Sequence, residues 1–289
     1  MSTVANKIIL VTGATSGIGE VTARELARQG AHVVIMGRTA QSVARAKQRI
    51  VAATGSQQVD TLVADFASLQ QVRDVAAEIH QKYERLDILV NNAGRINGSK
   101  RLVSADGNEL TLAINYLAPF LLTSLLFDLL QKSPAARIIN VASVGHQVAR
   151  PDFSDFQFER HYGPLRVYGT TKLWNIMFTQ ELANRLRAHG ITNVTTNSLH
   201  PGNVATEFGK TEKSWLTILL VLFRPFLISP EEGAQTTIYL ATDERVGSIS
   251  GGYFVEKKAE PVKSDFNTPA HNRRLWELGE QLTGTAFLD

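Results

Sequence analysis

The chain has 289 residues, 44% of them hydrophobic and 20% charged, which is ample for one α/β domain with a sizeable core and short of two full domains. Its formal net charge of +3 comes from charges of both signs scattered along the chain, so nothing in it argues for nucleic acid. Cysteine is absent, which excludes a disulfide framework, a Cys-ligated zinc site and a thiol nucleophile, and suits a reducing cytoplasm.

The first residues run into Ile8-Ile9-Leu10-Val11 with no basic leader, long apolar stretch or small-residue cleavage site, so the expected localisation is cytoplasmic. Apolar, β-branched runs then alternate with longer segments of helical periodicity. Strands are expected at residues 7–12, 31–36, 59–63, 86–91, 137–142, 192–199 and 252–255. Helices are expected at 18–29, 40–53, 69–82, 108–131, 167–188 and 230–241. Seven strands joined by crossover helices imply a parallel sheet covered on both faces, a doubly wound Rossmann architecture in a single α/β domain over 1–289. The least regular stretches, 144–166 and 202–229, follow the carboxyl ends of central strands, where open α/β sheets bind ligands, and are expected to shape the substrate site.

Directly after the first strand comes Thr12-Gly13-Ala14-Thr15-Ser16-Gly17-Ile18-Gly19. Its glycines let the backbone turn tightly and approach a pyrophosphate over the following helix N-terminus. An ordinary glycine turn would look the same alone, but a strand before and an amphipathic helix after favour a dinucleotide. At the end of the second strand, where NAD enzymes keep an acid for the ribose hydroxyls, the chain reads Gly37-Arg38-Thr39. Arg38 can form charge-assisted bonds to a 2′-phosphate, so NADP(H) is favoured over NAD(H), against the alternative of a merely solvated arginine.

The spacing Thr-Gly-x-x-x-Gly-x-Gly resembles the short-chain dehydrogenase/reductase family, and four further elements fall in that family's order: Asp65, Asn91-Asn92-Ala93-Gly94, Ser143 with Tyr168-x-x-x-Lys172, and Pro201-Gly202. The resemblance covers about residues 7–255. Ser250-Gly251-Gly252-Tyr253-Phe254, Leu275-Trp276-Glu277 and the 25-residue step from Ser143 to Tyr168 are similar to the retinol dehydrogenase-like branch. By this resemblance Gly13, Thr15, Ser16, Gly17, Ile18 and Gly19 would meet the cofactor. Asp65 would hold the adenine, with Phe66 beside it, and Asn92, Ala93 and Gly94 would line the adenosine ribose. Pro201, Gly202, Val204 and Thr206 would seat the nicotinamide. A helix-capping aspartate and two plain loops are the alternatives.

Hydride transfer to a carbonyl needs a proton at the oxygen, and Tyr168 is the candidate donor. A free tyrosine has a pKa of about 10, and Lys172, one helical turn along, can lower it electrostatically. The resemblance implies that Ser143 binds the substrate oxygen, that Lys172 also holds the nicotinamide ribose, and that Asn115 supports a water chain to the lysine; helix packing is the other reading of Asn115. His146, His161 and His200 lack an i,i+4 ligand pair with a nearby carboxylate, and no Gly-x-Ser-x-Gly elbow occurs, so neither a metal nor a Ser-His hydrolase is expected. Tyr162, near Gly163-Pro164, reads as a loop residue.

The apolar segment 215–228 is too short to span a bilayer comfortably and follows Pro201-Gly202, within a substrate lid at about 203–229. It can cover a lipophilic substrate such as retinal or a long-chain aldehyde, pack on its own core or another subunit, or dip into a membrane surface beside Lys210, Lys213 and Arg224. Residues 256–289 form a C-terminal extension. The expected activity is NADP(H)-dependent interconversion of a carbonyl and its alcohol. The alternatives from other classes are a non-catalytic nicotinamide sensor and a membrane-surface interaction protein. The resemblance further implies a homodimer through the helices that carry Asn115 and Tyr168.

Overall fold

The β-branched run Ile8–Thr12 forms β1, paired in parallel with β2 (His32–Gly37) on one side and β4 (Ile88–Asn91) on the other. The structure, a computed structural model, describes residues 4–202 and 228–288. Val204, Thr206, the cations Lys210, Lys213 and Arg224, and all of the apolar segment 215–228 except Ile228 lie outside the described residues. With β3 (Val59–Val63), β5 (Ala136–Val141), β6 (Val194–His200), β7 (Tyr253–Val255) and β8 (Lys258–Ala259), the sheet runs in the order β3-β2-β1-β4-β5-β6-β7-β8.

Side chains alternate between the two faces, as the period of a strand requires. Ile9, Val11, Val33 and Ile35 pack with α1 (Gly17–Arg28), α2 (Ala40–Thr54) and α8 (Pro230–Thr242), whose Leu26, Ile50 and Leu240 share their cluster. Leu10, Val34, Met36 and Leu89 face α3 (Leu69–Lys82), α5 (Ala118–Leu125) and α7 (Pro164–Ala188). Strands buried on both faces read as continuous apolar runs, and helices on both faces make the sheet a doubly wound Rossmann fold in one domain.

Seven parallel strands were expected, and the structure adds an eighth. β8 runs antiparallel to β7, Phe254 opposite Ala259 and Val255 opposite Lys258. The two-residue turn between them places Glu256 at φ 48° and Lys257 at φ 65°. This turn puts both central residues in the left-handed region that Gly and Asn normally supply, so the hairpin carries no composition signal. A further helix, α9 (Pro269–Thr283), lies in the extension for which no element was expected. Thr268 caps it by accepting from His271 N, and Gly284 ends it at φ 61°.

The expected helix over 108–131 is broken into α4 (Leu110–Leu112), a π-helical turn (Ala113–Leu117), α5 and α6 (Phe127–Gln131). Pro119 has no N–H to give the carbonyl four residues back, that of Asn115, so the ladder widens there. Conversely, α7 begins three residues before its expected start at 167, because Gly163 is its N-cap and Pro164 occupies the first position, where a missing N–H costs nothing.

The outer face of α5 and α7 is covered by α9. Trp276 packs 5.1 Å from Phe120 and 5.8 Å from Phe178, ring centre to ring centre, and Tyr116 donates to the Leu275 carbonyl at 2.9 Å. The helices through which a homodimer was expected therefore carry a segment of the same chain. Among the described residues no helix is long and apolar enough to cross a membrane.

Candidate active site

The strand order reverses between β1 and β4, so the loops leaving their carboxyl ends diverge to opposite faces and open a cleft of about 550 Å³. Thr12 ties the two loops together: its hydroxyl donates to Val90 O at 3.2 Å and accepts from the N–H groups of Asn92 and Ala93 at 3.0 Å each. The Asn92 amide donates back to Thr12 O at 2.8 Å, so this side chain braces the glycine loop and leaves the backbone of 92–94 to line the cleft.

Gly13 sits at φ 65°, and a Cβ there would lie 2.8 Å from Ala93 Cα; at Gly19 it would lie 2.4 Å from Asn92 Nδ2. The N-cap of α1, Ser16, makes no side-chain capping bond, so the first N–H groups of the helix remain available to a ligand. Free donors, the positive end of the helix dipole and glycines that permit close approach together suit the pyrophosphate of a dinucleotide. Arg38, Asp65 and Phe66 lie along the same cleft with Thr15, Gly17 and Ile18. One Asp65 oxygen accepts from Ala67 N at 3.0 Å, while Ser68, not Asp65, caps α3.

Tyr168, Lys172 and Pro201 line the opposite end. Tyr168 is in the second turn of α7 and its hydroxyl is hydrogen-bonded to Ser143, the residue that ends the loop after β5 and starts the 3₁₀ turn Val144–Val148. Lys172 Nζ donates to Val141 O at 2.7 Å and stands 5.7 Å from the centre of the Tyr168 ring. A Cβ on Gly94 would lie 3.3 Å from that Nζ and 3.4 Å from Asn115 Oδ1, so glycine there lets lysine and asparagine approach the cleft wall. Asn115 accepts from Arg95 N at 2.8 Å and donates to Arg95 O at 2.9 Å, pairing with the loop backbone as a strand would. Thus the sequence-derived set Asn115, Ser143, Tyr168 and Lys172 is gathered in one place, with Gly202 at φ 90° nearby.

Burial holds the Tyr168 phenol above its ordinary range, with the Ser143 hydrogen bond working against it. The lowering expected from Lys172 is therefore not the leading effect. Lys172 is itself 3% exposed, and burial brings its ammonium down to about 8. At neutral pH the phenol is neutral and the lysine still mostly charged.

His146 and His200, weighed in the sequence as metal ligands or as the histidine of a Ser-His hydrolase, hold the wall behind Ser143. Val144 N donates to His200 Nδ1 at 3.1 Å, and His146 Nδ1 lies 2.8 Å from Ser143 O. Since a carbonyl only accepts, His146 carries its proton on Nδ1, and His200 must leave Nδ1 bare. The two rings grip opposite edges of a single peptide unit. Burial, and then His146, push His200 down to about 4. Tyr162 stays outside α7 and donates to Gly98 O at 2.8 Å, joining the 144–166 stretch to the loop after β4. Phe156 stacks on Trp174 of α7 at 4.4 Å, anchoring the same stretch. Sequence reasoning placed Thr12 at the head of the glycine motif without a role of its own and missed Arg95, which follows Asn-Asn-Ala-Gly directly.

Residues 7–217 match the family model for short chain dehydrogenase. The chain is 38% identical to mouse (Mus musculus) retinol dehydrogenase 11 over 278 residues, covering 96% of this chain and 86% of that protein. It is 37% identical to human (Homo sapiens) retinol dehydrogenase 13 over 291 residues, covering 98% and 86%. Among solved structures, an uncharacterised protein from Mycobacterium paratuberculosis superposes with a TM-score of 0.78 at 29% identity, covering 99% of this chain and 97% of that one.

Proposed function

This chain belongs to the short-chain dehydrogenase family and is retinol dehydrogenase-like, and from that premise we propose that it is an NADP(H)-dependent oxidoreductase interconverting a lipophilic carbonyl and its alcohol. The reading is carried by one arrangement. A tyrosine bonded to Ser143, with Lys172 one turn along, stands at one end of a cleft whose other end holds Arg38 where an acid would favour NAD.

A bound nicotinamide supplies or accepts the hydride. The protein's task is the proton and the alignment. Ser143 and Tyr168 are the two hydroxyls that meet the substrate oxygen, and in reduction Tyr168 gives its proton to that oxygen. A phenol kept neutral by burial is in the right form to donate at neutral pH. The buried Lys172 ammonium stabilises the tyrosinate left behind, and Asn115, whose carbonyl Pro119 cannot serve, stands beside it on the route by which solvent restores the proton. Oxidation runs the same steps backwards. Gly13, Thr15, Ser16, Gly17, Ile18 and Gly19 would receive the pyrophosphate, Asp65 with Phe66 the adenine, and 92–94 with Pro201 and Gly202 the riboses and nicotinamide.

Exposed apolar side chains on the segments that carry Ser143 and Tyr168 support a lipophilic substrate. Val144, Val148 and Leu165 are 37%, 61% and 48% exposed, on the 3₁₀ turn and the first turn of α7 that flank the tyrosine. Each CH₂ buried against such a surface is worth ~0.8 kcal/mol, so a long chain or polyene would gain much of its affinity there. The relatives' names add retinoid alcohols and aldehydes as the first compounds to try. The test is loss of reduced-nicotinamide absorbance with NADPH or NADH and a panel of retinal, long-chain aldehydes, steroid ketones and small polar carbonyls. Turnover of the lipophilic compounds with NADPH is expected; tight NADPH binding without turnover of any of them would favour a nicotinamide sensor.

A further inference from the structure

Arg38 and Arg95 come from opposite walls of the cleft. Arg38 follows β2, where Gly37 allows contact with the glycine loop: a Cβ on Gly37 would lie 2.3 Å from Thr15 Cγ2. Arg95 follows β4, and both polar groups of its backbone are fixed by Asn115 at 2.8 and 2.9 Å, so its Cα is held while its side chain is left to reach along the cleft. Both residues line the cavity together with Thr15, Asp65 and Phe66.

Neither guanidinium has an ion-pair or hydrogen-bond partner among the described residues; Arg38 is exposed, but for Arg95 this is a contrast with the other partly buried arginines. Arg24 pairs with Glu25 and Glu231, Arg185 pairs with Glu181 at 3.1 Å, and Arg137 donates to the carbonyls of Leu240 and Asp243 at 2.8 and 2.9 Å. Arg95 is half-buried, and among the described residues no carboxylate forms an ion pair with it. Burial, and then Arg38, hold it below the ordinary arginine range, with Asp65 acting the other way, so Arg95 senses the cation on the facing wall. Two like charges face one space in which Asp65 is the acid at hand, and it forms an ion pair with neither among the described residues. An anion between the two guanidinium groups offsets their repulsion. A phosphate monoester carries close to two negative charges at neutral pH, more than one guanidinium balances.

We propose that Arg95 is a second ligand for the 2′-phosphate of NADP(H), closing on it from the β4 wall while Arg38 holds it from the β2 wall. This rests on the NADP(H) reading above. It adds that cofactor selectivity is set from both halves of the sheet, and that Asp65 orients Arg95 without neutralising it.

The full chain is titrated with NADPH, NADH, 2′,5′-ADP and 5′-ADP, for the wild type, Arg38→Ala, Arg95→Leu and Arg95→Lys, with thermal midpoints checking that each variant is folded. Arg95→Leu is expected to weaken NADPH and 2′,5′-ADP by about tenfold or more, the scale of a lost charge-assisted bond, and NADH and 5′-ADP by less than about twofold. Arg95→Lys, which keeps the charge and loses the planar fork, is expected to fall between. Equal weakening of NADPH and NADH by Arg95→Leu would move the residue to the pyrophosphate and overturn the proposal, as would no weakening of either. If the wild type prefers NADPH and Arg38→Ala removes the preference while Arg95→Leu does not, only the role of Arg95 fails; if the wild type binds NADPH and NADH alike, the NADP(H) reading itself fails.

Discussion

Acid should loosen the wall behind Ser143 through His200. The ring accepts from Val144 N at 3.1 Å and can do so only while Nδ1 is unprotonated. It is 9% exposed, and burial first, then His146, hold its pKa at about 4 in the folded chain against the ordinary 6.5. As pH falls from 6.5, the unfolded chain takes up a proton that the folded chain refuses, so stability declines until pH reaches about 4 and is level below. The full loss is about 3 kcal/mol, and His146, lowered by its own burial, adds to it with the same sign.

Urea unfolding of the wild type and His200→Asn at steps from about pH 7.5 to about pH 4 reads this directly. The asparagine Oδ1 stands where Nδ1 does, accepts from Val144 N and does not titrate. Carboxylates held low in the native state also shed stability in acid, Asp243 at about 2 among them, but they do so equally in both proteins. The difference between the curves is therefore the measurement. The wild type should lose about 2–3 kcal/mol more than the variant across the window. Parallel curves would show that His200 is not held neutral by its surroundings, and would remove the two-histidine account of how Ser143 is positioned.

Replacing Tyr168 by Phe should lower turnover by about 10²-fold or more with little change in NADPH affinity, and near-normal turnover in the folded variant would end its role as proton donor. Because burial raises the Tyr168 pKa, the tyrosinate needed for alcohol oxidation is scarce at neutral pH; oxidation should speed up as pH rises through neutrality while reduction does not, and a flat oxidation profile would count against the assignment. Arg38→Asp should move preference toward NAD(H), read from the ratio of kcat/KM values for the two cofactors, and an unchanged ratio would assign the phosphate elsewhere. Trp276→Ala should cost about 3–5 kcal/mol in urea unfolding, the range for a large aromatic lost from a core, and a loss under about 1 kcal/mol would mean that α9 is not part of the cooperative unit.

Most of the sheet was legible because its strands are buried on both faces, and β-branched runs such as Ile8–Val11 and Val33–Ile35 have no competing helical period. Tyr168 and Lys172 stood out through the ordered motifs around them, since their spacing on one helix is common on ordinary surface helices. What failed to show depends on contacts between distant stretches or on unusual backbone. The Glu256-Lys257 turn uses left-handed residues of ordinary type, and the break at Asn115 needs the joint effect of Pro119 and the Arg95 backbone. Helix α9 carried its capping signals at Thr268 and Gly284, yet what it covers, Phe120 and Phe178, lies more than ninety residues away in the chain. His200 looked like a stray ligand because the peptide it grips, Ser143–Val144, is brought to it only by the pairing of β5 with β6.

That same pairing separates the two tasks of the cleft. Gly13, Arg38 and Asp65 follow β1, β2 and β3, whereas Ser143 and His200 belong to β5 and β6 and the tyrosine helix packs against that half. On the proposed function, phosphate choice and proton transfer would rest on different parts of one sheet, joined at the switch between β1 and β4. Changes at Arg38 should alter cofactor affinity and leave the pH profile of turnover unmoved, while changes at Tyr168 should do the reverse. Arg95 tests this division, because its backbone is tied to Asn115 on the proton side and it lines the same cleft as Arg38. If Arg95→Leu shifts both cofactor affinity and the pH profile, the two halves are coupled through that loop; if it shifts affinity alone, the loop backbone held by Asn115 insulates the chemistry from the cofactor's far end.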